Sequence, residues 1–104
     1  MLFRSRELAA IRIEIEGFAA ELAAKERTVE NLEAITLAEK AFRTEAEKKR
    51  PDRPRAVALN KDFHFAVYQA SGLPALVEII GGLWLKVGPV INLEIGRASC
   101  RERV

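Results

Sequence analysis

Ala56-Val57-Ala58-Leu59-Asn60-Lys61-Asp62-Phe63-His64-Phe65-Ala66-Val67-Tyr68-Gln69-Ala70-Ser71-Gly72-Leu73-Pro74 is the stretch whose spacing decides the fold. Leu59, Phe63, Ala66, Val67 and Ala70 recur three and four residues apart, which predicts a helix over 56–70 with one apolar stripe. Ser71-Gly72 supplies a helix end, because glycine adopts the left-handed conformation that closes a last turn. Pro74 suits the first turn of another helix, where a backbone N–H has no partner to lose.

On the C-terminal side, Leu76, Val77, Ile79, Ile80, Leu83, Trp84 and Val87 are apolar around much of a helical circumference, so this fourth helix is expected at the centre of a bundle. Gly81-Gly82 is expected to let a neighbouring helix approach closely, and Gly88-Pro89 to end or kink the helix. On the N-terminal side, Leu8, Ile11, Ile15, Phe18, Ala19 and Leu22 form a helical stripe between Glu7 and Lys25. Thr28 is placed to cap a second, less apolar helix carrying Leu32, Ile35, Phe42 and Ala46, with Glu30 at its positive end. Lys48-Lys49-Arg50-Pro51-Asp52-Arg53-Pro54-Arg55 reads as a solvated basic turn between helices. No strand pattern or internal repeat interrupts this, and the expectation is an all-α, partial antiparallel bundle of four helices.

Charge and cysteine content narrow the function classes. The chain has 104 residues, a formal net charge of +2, one cysteine and one histidine, which excludes a disulfide framework and a cysteine-based zinc site. Setting aside Arg97, Arg101, Arg103 and Glu102 from the totals of 17 basic and 15 acidic residues leaves 14 of each in residues 1–94, so that body is neutral. The remaining stretch, Ile95-Gly96-Arg97-Ala98-Ser99-Cys100-Arg101-Glu102-Arg103-Val104, has no apolar period. Read as ATC GGA AGA GCG TCG TGT AGG GAA AGA GTG, it is similar to a sequencing-library adapter translated in one frame. The domain is therefore expected over 1–94, with 95–104 a read-through scar. Met1 to Arg6 lacks the apolar core of a secretory signal, and Leu73 to Leu93 is broken by Glu78, Lys86 and Pro89. A cytoplasmic protein with no membrane span is expected.

Asn60, His64 and Tyr68 fall four apart and project from one face of the third helix, whereas Asp62 lies about 200° around from His64. Asn60 and His64 make half of a metal site at most, because three or four ligands are needed and no second histidine exists. A satisfied core or pocket-edge histidine is the competing reading. Arg12 and Glu16 are spaced to pair on the first helix and read as a solvated surface pair. No activated nucleophile, phosphate loop or pair of catalytic carboxylates is present, so the chain is not read as an enzyme.

Two segments carry a family resemblance. Glu7-Leu8, Ile11-Arg12, Ile15-Glu16 and Ala19-Ala20-Glu21-Leu22-Ala23-Ala24 resemble the opening helix of the FCD domain, the ligand-sensing C-terminal domain of the FadR subfamily of GntR-type bacterial transcription regulators. Asn60 to Phe65, continuing through Tyr68 to Pro74, resembles that domain's Phe-His helix and the helix start that follows, and the likeness covers about residues 7–93.

The resemblance implies a helical sensor that forms a homodimer, binds a small-molecule effector such as an organic acid, and reads operator DNA through an N-terminal winged helix-turn-helix that this chain lacks. It implies an effector pocket lined by Asn60, His64, Tyr68 and Arg12, and a divalent metal (Zn, Ni or Mn) held by an Asp four residues before the Phe-His histidine, that histidine and two later ones. Only His64 matches that set here. Asn60 stands at the Asp position with a weaker, neutral oxygen, the later histidines would lie beyond Glu94, and Leu73 replaces the family's common Asn. The competing readings are a helical dimerisation module with no ligand and part of a helical metalloenzyme. A fragment ending near Glu94 is also expected to expose apolar surface and pack loosely.

Overall fold

α1 (Leu2–Glu26) runs unbroken through an alanine-rich sequence of good helix formers. In the computed structural model residues 2–86 are described, with side chains from Ser5 onward. The adapter-like tail, Val87 and Gly88-Pro89 lie outside the described residues. α1 starts five residues before the stripe beginning at Glu7 predicts, and near its end Arg27 donates to the carbonyl of Ala24. That bond satisfies one of the carbonyls a helix end leaves without an internal partner.

α2 (Val29–Ala46) follows after only two residues, capped as expected by Thr28. The Thr28 hydroxyl oxygen accepts from the Asn31 N–H at 3.0 Å, and the Asn31 side-chain oxygen accepts from the Thr28 N–H at 3.0 Å. This is a reciprocal capping box closed by asparagine instead of the usual glutamate or glutamine.

α3 (Arg53–Gln69) begins three residues earlier than the apolar pattern predicts. Asp52 caps it, accepting from the Arg55 N–H at 3.1 Å, and Pro54 sits in the first turn where proline costs no hydrogen bond. Arg53-Pro54-Arg55 is therefore helix, and the turn is confined to residues 47–52. That turn is held from beneath by Glu45, which is only 3% exposed. One oxygen of Glu45 accepts from Lys48 Nζ at 2.9 Å and faces Arg55 Nε at 3.3 Å, while the other accepts the Asp52 N–H at 2.9 Å. The Asp52 amide above all, then Lys48 and Arg55, hold the Glu45 carboxyl below the ordinary carboxylate range.

α3 ends at Gln69 with Ala70 as its C-cap, and after Ser71, Gly72 takes φ +76°, the left-handed value expected of it. The fourth helix, α4, starts at Pro74 and is helical through residue 86. No strand occurs among the described residues, so the fold is all-α. α3 is the shared partner in the packing: both α2 and α1 pack on it, α2 more extensively, while α1 and α2 do not pack on each other.

Ala19 of α1, Tyr68 of α3, and Ile80 and Trp84 of α4 make the buried centre, with Ile15, Phe65, Val67, Leu76 and Val77 against it. Three expectations change here. On α1 the buried line is Arg12, Ala19 and Ala23, and Ile11 and Phe18 of the apolar stripe are exposed. α4 buries one face only, with Ile79 and Leu85 exposed, so among the described residues it is not central. A Cβ on Gly81 would meet Phe65 at an ordinary 3.9 Å and one on Gly82 would meet nothing within 4 Å, so neither glycine is needed for close approach.

Gly82→Ala should therefore stabilise the chain by about 0.4–1 kcal/mol, through the lower entropy of its unfolded state, in urea unfolding followed by circular dichroism. Because the folded value of Glu45 is depressed, its stabilising contribution is present above the unfolded carboxyl value and lost as pH falls through the folded one. Melting temperature should accordingly decline less steeply with acid in Glu45→Gln than in the parent chain.

Candidate functional site

The Arg12–Glu16 spacing on α1 is that of a surface pair, yet Arg12 is 2% exposed and its Nε donates to Glu16 Oε2 at 2.5 Å. Burial follows from what comes over it. Trp84 lays its ring against the guanidinium, with the Arg12 central carbon 4.3 Å from the ring centroid. Its indole Nε1–H donates to Glu16 Oε2 at 2.9 Å. From α3, the Tyr68 hydroxyl donates to Glu16 Oε1 at 2.6 Å. One carboxylate thus accepts from three side chains on three helices. It compensates in large part for the cost of taking Arg12 out of water.

The guanidinium is nonetheless only partly satisfied. Nη1 and Nη2 of Arg12 are buried and have no hydrogen-bond partner among the described residues. A guanidinium carries five N–H donors, and an unmet buried donor of this kind is uncommon enough to require an explanation. With one face covered by Trp84 and Nε engaged by Glu16, one N–H of each unmet nitrogen lies on the in-plane edge that matches two acceptor oxygens side by side.

His64 borders the same cluster. Its Nδ1 lies 3.5 Å from the Tyr68 hydroxyl, and its ring is 5.7 Å from those of Phe63 and Trp84. Burial pushes the imidazole below its ordinary range, and the Arg12 charge adds to that against the opposing pull of Glu16. His64 is therefore neutral at pH 7. Burial, reinforced by the bond to Glu16, drives the Tyr68 hydroxyl far above its ordinary value, so it remains a donor.

Of the residues singled out from sequence, Arg12, His64 and Tyr68 meet in this cluster. Asn60 lies one turn before His64, half-buried, and takes no part in the cluster's hydrogen bonds. Glu16 and Trp84 were legible only as a surface pair member and a core aromatic. The signal that could have raised them is a carboxylate spaced to pair with an arginine, each flanked on both sides by apolar residues or glycine.

A divalent metal does not fit the described residues by themselves. No three His, Cys, Asp or Glu side chains come together among them. The Asn60 oxygen is neutral, both Glu16 oxygens are already engaged, and the fixed positive charge of Arg12 opposes a second cation.

Removing the carboxylate should be costly. Glu16→Ala strands Arg12, the Trp84 N–H and the Tyr68 hydroxyl in the interior, a loss expected at about 3–5 kcal/mol. Tyr68→Phe, which deletes a single donor to a charged acceptor, should cost about 1.5–3 kcal/mol in the same unfolding measurement.

Comparison with known proteins places the chain in a family. The family model described as FCD domain matches residues 7–104, and so runs through the adapter-like stretch. A curated relative, the HTH-type transcriptional regulator McbR of Escherichia coli (strain K12), is 30% identical over 101 residues, covering 94% of this chain and 45% of the relative. The chain thus spans less than half the length of the curated relative it matches. No solved structure gives a significant match. With an all-helical fold and a family match over nearly its whole length, the chain belongs to the FCD domain family of GntR-type regulators, a regulatory and not an enzymatic family.

Proposed function

We propose that this chain is the effector-sensing part of a bacterial transcription regulator, and that its effector is a small organic acid bound at Arg12. The observation that carries this reading is the pair of buried, unmet nitrogens, Nη1 and Nη2 of Arg12. A carboxylate supplies two coplanar acceptors at the spacing those nitrogens present, in a charge-assisted bidentate pair. Tyr68 and His64 lie beside it and can contact the remainder of such a ligand, and Asn60 lies one turn further along α3.

In this reading the ligand does work on the fold because Arg12 belongs to α1 and its cover, Trp84, to α4. An anion on Arg12 changes the relative stability of arrangements of these helices, and a sensor responds only by such differential binding. The response would pass to operator DNA through a helix-turn-helix domain like the one named in the McbR relative, in a homodimer. Among the described residues no helix is long and apolar enough to cross a membrane.

A dimerisation module with no ligand is the second reading, favoured by the aromatic rings of Phe63, Tyr68 and Trp84 around His64. The two readings part in a thermal-shift screen of the full chain against small carboxylates. The sensor should show a saturable rise in melting temperature, reflecting a stabilisation of about 2.7 kcal/mol at a hundred times Kd, that Arg12→Gln abolishes. A chain that no acid stabilises, or whose stabilisation survives Arg12→Gln, is not this sensor.

A further inference from the structure

Glu16 has a consequence for ligand choice that its structural part does not require. We infer that Glu16 restricts the site to ligands presenting a single carboxylate, and excludes dicarboxylates and other dianions. The inference rests on the proposed reading of Arg12 as the anion anchor and adds the charge and shape that the anchor accepts.

Charge comes first. The hydrogen-bonded cluster holds one cation, Arg12, and one anion, Glu16, and the two are bonded to each other. Tyr68 and His64 are neutral in their buried positions, so the cluster is neutral before any ligand arrives. A monocarboxylate on Nη1 and Nη2 leaves one guanidinium between two carboxylates, Glu16 at Nε and the ligand at the end-on edge. A second carboxylate on the same ligand would add another negative charge near Glu16, with no second cation in the cluster to meet it. Without Glu16, Arg12 would face the ligand with its full charge.

Shape gives the same answer. Trp84 covers one guanidinium face and Glu16 takes the Nε donor, which leaves the end-on edge, formed by one N–H of Nη1 and one of Nη2, for a ligand. That edge matches one planar carboxylate end-on. Charge also separates the acid from its amide, because a primary amide brings one acceptor oxygen and an NH2 group that cannot accept from Arg12.

The test uses the full chain and two series of matched length: butyrate, butyramide and succinate, then pentanoate, pentanamide and glutarate. Binding is read by thermal shift and isothermal titration calorimetry at constant ionic strength. Each monocarboxylate should bind about tenfold or more tightly than its amide and its dicarboxylate. In Glu16→Gln, which keeps the side-chain shape and one acceptor oxygen, the preference for monocarboxylate over dicarboxylate should shrink by about tenfold or reverse.

A parent chain that binds succinate or glutarate as tightly as the monoacid overturns the inference while leaving the anchor reading in place. So does an unchanged preference in a folded Glu16→Gln. An amide binding as tightly as the acid, or no binding by any member of either series, overturns both. If Glu16→Gln does not fold, the parent chain's own ranking of the three ligands still decides.

Discussion

The described part of this molecule turns on one carboxylate. Glu16 is reached by Arg12 from its own helix, by the Tyr68 hydroxyl from α3 and by the Trp84 indole from α4. Each donor is buried, and each would be left without water or partner if the carboxylate moved. The register of α1 against α3 and α4 is therefore set by polar satisfaction as much as by apolar contact. The apolar stripe of α1 would have turned Ile11 and Phe18 inward, but the buried line is Arg12, Ala19 and Ala23. Ala19 and Ala23 suit this arrangement because a methyl side chain adds little between close backbones.

Glu45 does for the α2–α3 connection what Glu16 does for the bundle. It is a buried carboxylate that accepts a backbone N–H and neutralises two basic side chains, Lys48 of the exposed turn and Arg55 of the first turn of α3. The two carboxylates differ in one respect that bears on function. The partners of Glu45 are exposed beyond their ion pairs, so their remaining donors are open to water. The main partner of Glu16 is Arg12, whose remaining donors are buried. An unmet buried guanidinium edge is a feature that a purely structural ion pair does not need, and the proposed anion site rests on it.

How far the sequence could be read follows from the range of the forces involved. Helix existence and most boundaries come from local periodicity and local caps: Thr28, the Ser71-Gly72 stop and the Pro74 start are all where residue chemistry puts them. The start of α3 was missed because Pro51 and Pro54 both read as turn, whereas only the partner of Asp52 tells which proline lies inside the helix. Arg12, His64 and Tyr68 could be named, but Asn60, on the same helical face, is not drawn into the cluster. A shared face is a statement about one helix, and the site is assembled from three.

By itself the sequence determined an all-helical chain, the Thr28 cap and the Ser71-Gly72 stop, its family likeness and the i,i+4 spacing of Arg12 and Glu16, because these depend on residues within a turn or two of each other. Only the tertiary structure decided that the pair is buried, that Trp84 and Tyr68 close over it, and that two guanidinium nitrogens remain unmet. The physical reason is that an exposed and a buried ion pair have the same sequence spacing. What separates them is the solvent removed by side chains 52 and 68 residues away from Glu16, and no local pattern carries that information.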